Sequence, residues 1–225
     1  MTQGQLNFSR DMEREADRLG YGVMTQAGFE AQGVVSMFQK LALASRLNDS
    51  GGFPYLRSHP LTTERIGDMQ ARMGVNGGDA KPLPLTLSHA MLSARARALM
   101  SKRSEEIQSL VLAYENDSEP ERSPAARAGL LYAAVMAYTE QRQASKAVQA
   151  ANKLLTLAAD DPAGLLLARW LAADTARRVG KPSECLAQLQ SLPLTRSKLL
   201  LQASCQVALQ NNAQAQQAVE QLQLW

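Results

Sequence analysis

An all-α fold is the class this sequence predicts, in two parts: a partial helical unit at the N-terminus and a C-terminal stack of antiparallel helical hairpins. Three observations carry that prediction. Apolar residues recur at the 3.6-residue period, as in Val34, Val35, Phe38, Leu41 and Ala42. Glycine, proline and asparagine punctuate the chain between such stretches, at Ala27-Gly28, Asn48 to Gly52, Asn76 to Pro84 and Asn116 to Pro124. Beyond residue 124 the chain repeats itself, Ser145-Lys146-Ala147-Val148 matching Ser183-Glu184-Cys185-Leu186 at a period near 38. The expected partition is residues 1–75, a linker and long connecting helix over 76–123, and repeats over 124–225.

Composition narrows the function. The 225 residues suffice for a substantial core, and 45% hydrophobic against 20% charged residues is ordinary globular composition. A net charge of +3, with basic residues interleaved among acidic ones and no aromatic-studded basic stripe, argues against a nucleic-acid partner. No apolar run reaches about eighteen residues, so no transmembrane segment is expected. The start of the chain carries no signal-peptide pattern. Two cysteines, Cys185 and Cys205, leave the redox compartment open.

Residues 1 to 8 are polar and are expected to fray. Ser9 reads as the N-cap of a first helix running to about Gln26, where Ala27-Gly28 stops it. Met12, Ala16, Leu19, Val23 and Met24 form its apolar set, and loss of a neighbouring element would uncover part of it. Glu13 and Asp17 lie four residues apart and share one face, with small Ala16 beside them. That face is either a solvated surface laced with ion pairs, or one that presents a carboxylate to a metal and a second to a neighbouring ligand. A second helix is expected over Glu30 to Arg46, then a flexible loop at Asn48 to Gly52. His59 precedes Pro60, which holds it extended at the mouth of a third helix. Arg65 either charge-stabilises nearby groups or pairs with Glu64 or Asp68.

Residues 5 to 73 resemble the second half of the catalytic domain of the HtpX/BepA-like zinc metallopeptidases. The pattern S-R-x-x-E-x-E-A-D-x-x-G falls on Ser9 to Gly20, A-G-[FY] on Ala27-Gly28-Phe29, M-F-x-K-L on Met37 to Leu41, and S-H-P-x-x-x-x-R-I on Ser58 to Ile66. The resemblance implies that Glu13 is a zinc ligand, that Asp17 orients a ligand histidine from behind, and that Arg65 serves the site. It leaves His59 two roles, stabilising the oxyanion of the tetrahedral intermediate or binding the open position of the zinc. The H-E-x-x-H helix of that family is absent, since the only histidines are His59 and His89. Zinc hydrolysis needs three protein ligands and an activating base. The expectation is therefore a C-terminal part of a larger peptidase, inactive by itself, with zinc as the cofactor of the complete protein. The same resemblance implies a periplasmic location and a role in envelope protein quality control.

A single helix is expected from about Leu87 to Tyr114, with His89 as a surface or packing histidine in its first turn. Three helical pairs follow: Ala126 to Thr139 with Ser145 to Ala158, Ala163 to Val179 with Ser183 to Leu192, and Arg196 to Leu209 with Ala213 to Leu224. These resemble degenerate tetratricopeptide repeats, with Leu131, Tyr138, Ala147 and Leu154 at the pattern positions. Such repeats imply protein substrates or outer-membrane assembly proteins as partners. Tyr132 and Trp170 are either groove residues or packing between repeats, and Cys185 reads as a buried small residue, a bridge to Cys205 being open though about one turn off register. The competing function is a repeat adaptor that binds protein and does no chemistry.

Overall fold

A computed structural model describes residues 3–47, 63–76 and 84–224. Among the described residues the chain is all-helical, with eleven α-helices and no strand. It divides into two compact units, Met1–Pro84 and Leu85–Trp225.

The first unit holds α1 (Gln3–Gln26), α2 (Gln32–Leu47) and α3 (Thr63–Asn76). Helix α1 starts earlier than the sequence led us to expect, so Ser9 lies inside it and is not its N-cap. Its C-terminus is as expected. Gly28 adopts φ +83°, its N–H bonds the Thr25 carbonyl, and the Phe29 N–H bonds the Met24 carbonyl. This left-handed closure satisfies carbonyls the helix would otherwise leave orphaned. Val35, Phe38 and Met69 form the core, flanked by Tyr21, Val34, Leu41, Ile66 and Met73. The apolar stripe of α1 is not part of it: Met12, Leu19 and Val23 are 59%, 53% and 70% exposed. The helix instead turns Glu13, Asp17 and Tyr21 inward, a face more than a quarter-turn away. The Asn48 to Gly52 loop and His59 lie outside the described residues.

The second unit begins with α4 (Leu87–Met100) and α5 (Ser104–Glu115). These replace the single helix expected over Leu87 to Tyr114. Ser101 turns to an extended ψ of 107°, and the Glu106 carboxylate accepts from the backbone N–H groups of Lys102 and Arg103 at 2.8 and 3.2 Å. A carboxylate reaching back in this way starts a new helix more favourably than it continues the old one.

Three hairpins follow: α6 (Pro124–Glu140) with α7 (Ala144–Leu157), α8 (Pro162–Arg178) with α9 (Pro182–Gln190), and α10 (Arg196–Ala208) with α11 (Asn212–Gln223). Each first helix ends the same way, at Arg142, Gly180 and Gln210, with φ of 59°, 77° and 61°. At each, the next N–H reaches back to the carbonyl of Tyr138, Ala176 or Gln206. Arg142 and Gly180 stand 38 residues apart, which is the period read from the sequence.

Alanines at Ala128, Ala133, Ala134, Ala147, Ala150 and Ala151 are buried and let the helices approach closely. Helix α4 packs against α6 and α8. A Cβ on Gly129 would stand 3.3 Å from the Ala90 carbonyl oxygen, so glycine permits that contact. Cys185 and Cys205 are fully buried and bonded to each other, with Cα atoms 6.8 Å apart, joining α9 to α10. The sequence reading set the vertex of these helices at Pro193, one turn off register. The bridge centres them nearer Thr195, the N-cap of α10, because residues 191 to 194 lengthen the connection.

Candidate functional site

Arg65, at the start of α3, lies between the two carboxylates that α1 turns inward. Its Nε and Nη2 each donate to Asp17, to Oδ2 and Oδ1 at 2.7 Å, in a bidentate fork. Its Nη1 lies 2.9 Å from Glu13 Oε2. The guanidinium also sits 5.3 Å from the centre of the Phe38 ring, over its face. The three side chains are 11%, 9% and 14% exposed for Arg65, Asp17 and Glu13. Two carboxylates on one helix face repel, and a planar cation with five donors in a fixed fork is the side chain suited to bridge both. The buried Tyr21 hydroxyl, one turn beyond Asp17, has no hydrogen-bond partner among the described residues.

The alternative partners considered for Arg65 are taken by Arg14, which pairs with Glu64 and lies 3.9 Å from Asp68. These groups are half exposed, as is the Glu15–Arg18 pair at 2.6 Å. There the hydrogen bond from Arg18 holds the Glu15 carboxyl below its ordinary range. The outer charges of α1 thus form a solvated ion-paired surface, while Glu13 and Asp17 on its inner face gather around Arg65.

A zinc site needs three protein ligands. Among the described residues no three His, Cys, Asp or Glu side chains come together to hold a metal, and His59 is outside them. Glu13 presents one carboxylate, turned inward and 2.9 Å from Arg65. The described residues alone do not make the site. His89 is exposed in the first turn of α4, whose cap is the Thr86 hydroxyl accepting from the His89 backbone N–H at 3.2 Å.

The geometry defines a class only together with the chain's relatives. Residues 1–73 match the profile of Peptidase family M48. This N-terminal segment is therefore similar to a metallopeptidase domain, as the motifs on Glu13, Asp17 and Arg65 imply. Two relatives are each named a beta-barrel assembly-enhancing protease. That of Yersinia pestis is 35% identical over 97 residues, and that of Escherichia coli strain K12 is 31% identical over 97 residues. Each match covers 43% of this chain and 19% of the relative. A Vibrio cholerae relative is 40% identical over 70 residues, or 31% of this chain and 14% of its own length. The matches span less than a fifth of the length of these curated relatives. No solved structure matches the chain.

Proposed function

We propose that residues 1–75 are the C-terminal portion of the catalytic domain of a zinc metalloendopeptidase, that 76–123 connect it onward, and that 124–225 are tetratricopeptide-like repeats recruiting protein substrates or assembly partners. The observation that carries this reading is the Glu13–Arg65–Asp17 cluster inside the segment that matches the peptidase family. In the complete protein Glu13 binds the metal, with histidines from an H-E-x-x-H helix outside this sequence. Asp17 supports one of those histidines from behind. Zinc, when bound, supplies an activated water. Arg65 holds both carboxylates fixed in orientation, and His59 acts at the metal or on the oxyanion. The segment alone is inactive.

The names of the relatives and the buried Cys185–Cys205 bridge support an oxidising envelope compartment, the periplasm, and a role in outer-membrane protein quality control. The second reading, a protein-binding adaptor without chemistry, draws on the cleft of the helical stack. Casein cleavage by the protein extended upstream, with Glu13→Gln and His59→Ala beside it, separates the two. The peptidase reading expects cleavage that Glu13→Gln abolishes; an adaptor shows none in any variant.

A further inference from the structure

The hairpin stack contains a cleft of about 770 Å³, walled by α4, α6, α8 and α10. That is in the upper part of the range of ligand clefts, about 300–1,000 Å³. Helices α6, α8 and α10 at spacings of roughly 9 Å span about 18 Å, the reach of about five extended residues. The floor is Tyr132, only 2% exposed, and the rims carry Leu92 and Leu200, 52% and 57% exposed, with Trp170 also in the lining.

The charge of this cleft is one-sided. Three arginines line it, Arg95, Arg177 and Arg178, against a single acid, Asp174. Arg177 is bound to Asp174 at 3.0 Å and Arg178 to Glu140 at 2.6 Å. Arg95 has no carboxylate partner among the described residues; its Nη1 donates at 3.3 Å to the Tyr132 hydroxyl, leaving donors unused. A guanidinium beside exposed leucines and a tryptophan asks for an occupant with apolar side chains and a carboxylate.

We propose that this cleft binds a short extended peptide segment that carries apolar side chains beside an acidic one, with Arg95 as the carboxylate anchor. The proposal rests on the reading that the stack recruits protein, and it names the chemistry of what is recruited. A nucleic-acid occupant is disfavoured because Arg177 and Arg178 are already paired with carboxylates, which leaves no row of free cations along the cleft for phosphates.

The test is fluorescence polarisation on the whole chain. The probe is a fluorescein-labelled peptide that alternates leucine and serine and ends in two aspartates, its C-terminus amidated. A second peptide carries asparagines in place of the aspartates, and labelled oligothymidine is the competing probe. The acidic peptide is expected to bind at least about tenfold tighter than its asparagine counterpart, and to weaken with salt. Arg95→Gln should reduce that ratio to about one. Leu200→Glu, at an exposed rim position, should weaken the acidic peptide in a chain whose helical circular dichroism is unchanged. Equal binding of the two peptides overturns the proposal. So do a preference that survives Arg95→Gln, no binding of the acidic peptide up to about 1 mM, or tighter binding of oligothymidine. None of these outcomes touches the peptidase reading, which stands or falls on Glu13.

Discussion

Replacing Arg65 by methionine removes the guanidinium that Glu13 and Asp17, 14% and 9% exposed and one helix turn apart, both bind. The stem of the side chain and its packing on Phe38 are largely kept, so the loss is electrostatic. Removing one partner of a buried ion pair costs about 3–5 kcal/mol, because the remaining charge is left uncompensated. The slight exposure of all three groups places the effect at the lower end, about 3 kcal/mol. At about 1.4 kcal/mol per decade, amide exchange in α1 and α3 should speed up by about 100-fold, or reach the rate of unstructured chain if the unit's own stability is smaller. Hydrogen exchange read by mass spectrometry on the full chain measures this, with peptides from α6 and α8 as an internal control. A chain carrying Glu13→Gln, Asp17→Asn and Arg65→Met together should recover most of the protection, since it removes both carboxylates along with the cation they share. Arg65→Lys should fall between, because a point charge cannot make the fork. Exchange in Arg65→Met within about threefold of the parent, or a triple variant as loose as the single, would refute the reasoning.

Other parts of the structure are open to the same kind of test. Burial, then the hydrogen bond to Glu115 at 2.8 Å, push the Tyr138 phenol up to about 12. The unfolded chain loses that proton near 10, so stability should be intact below about pH 10 and fall by at most about 3 kcal/mol as pH rises toward 12. Urea unfolding at about pH 9 and about pH 11 measures the fall, and Glu115→Gln should shrink it. Gly129→Leu forces a side chain into the Ala90 backbone and should cost about 1–3 kcal/mol by thermal unfolding, where Gly129→Ala stays close to neutral because helix propensity offsets the 3.3 Å contact. Changing Cys185 and Cys205 together to alanine opens a loop of 20 residues and should lower stability by about 3 kcal/mol, with the parent showing no free thiol to Ellman's reagent until it is denatured and reduced.

The hairpin boundaries were legible because the signals are local. Pro124, Pro162 and Pro182 occupy first-turn positions, and Ser123, Asp161 and Thr195 accept from the N–H groups of Ala126, Gly164 and Lys198. Each hairpin helix was placed to within about two residues, as boundary signals of this kind allow. The break at Ser101 to Arg103 was not read, because the same serines and arginines also suit a continuous surface helix. What decides is the reach of Glu106 back to two N–H groups. Glu13, Asp17 and Arg65 were each singled out, but not their union. Glu64 and Asp68 sit as near in sequence as Asp17 sits far, 48 residues away, and only the packing of α3 on α1 chooses between them. The Cys185–Cys205 pairing stayed undecided for a similar reason, since its register depends on how residues 191 to 194 are spent in the turn.

Zinc content of the upstream-extended protein tests the central claim most directly. The account predicts one zinc per chain by atomic absorption after gel filtration, and loss of that metal in Glu13→Gln with the α6 to α11 hairpins still folded. Zinc retained in Glu13→Gln, or a protein that binds none, would contradict it and leave the peptide-binding stack as the function of this chain.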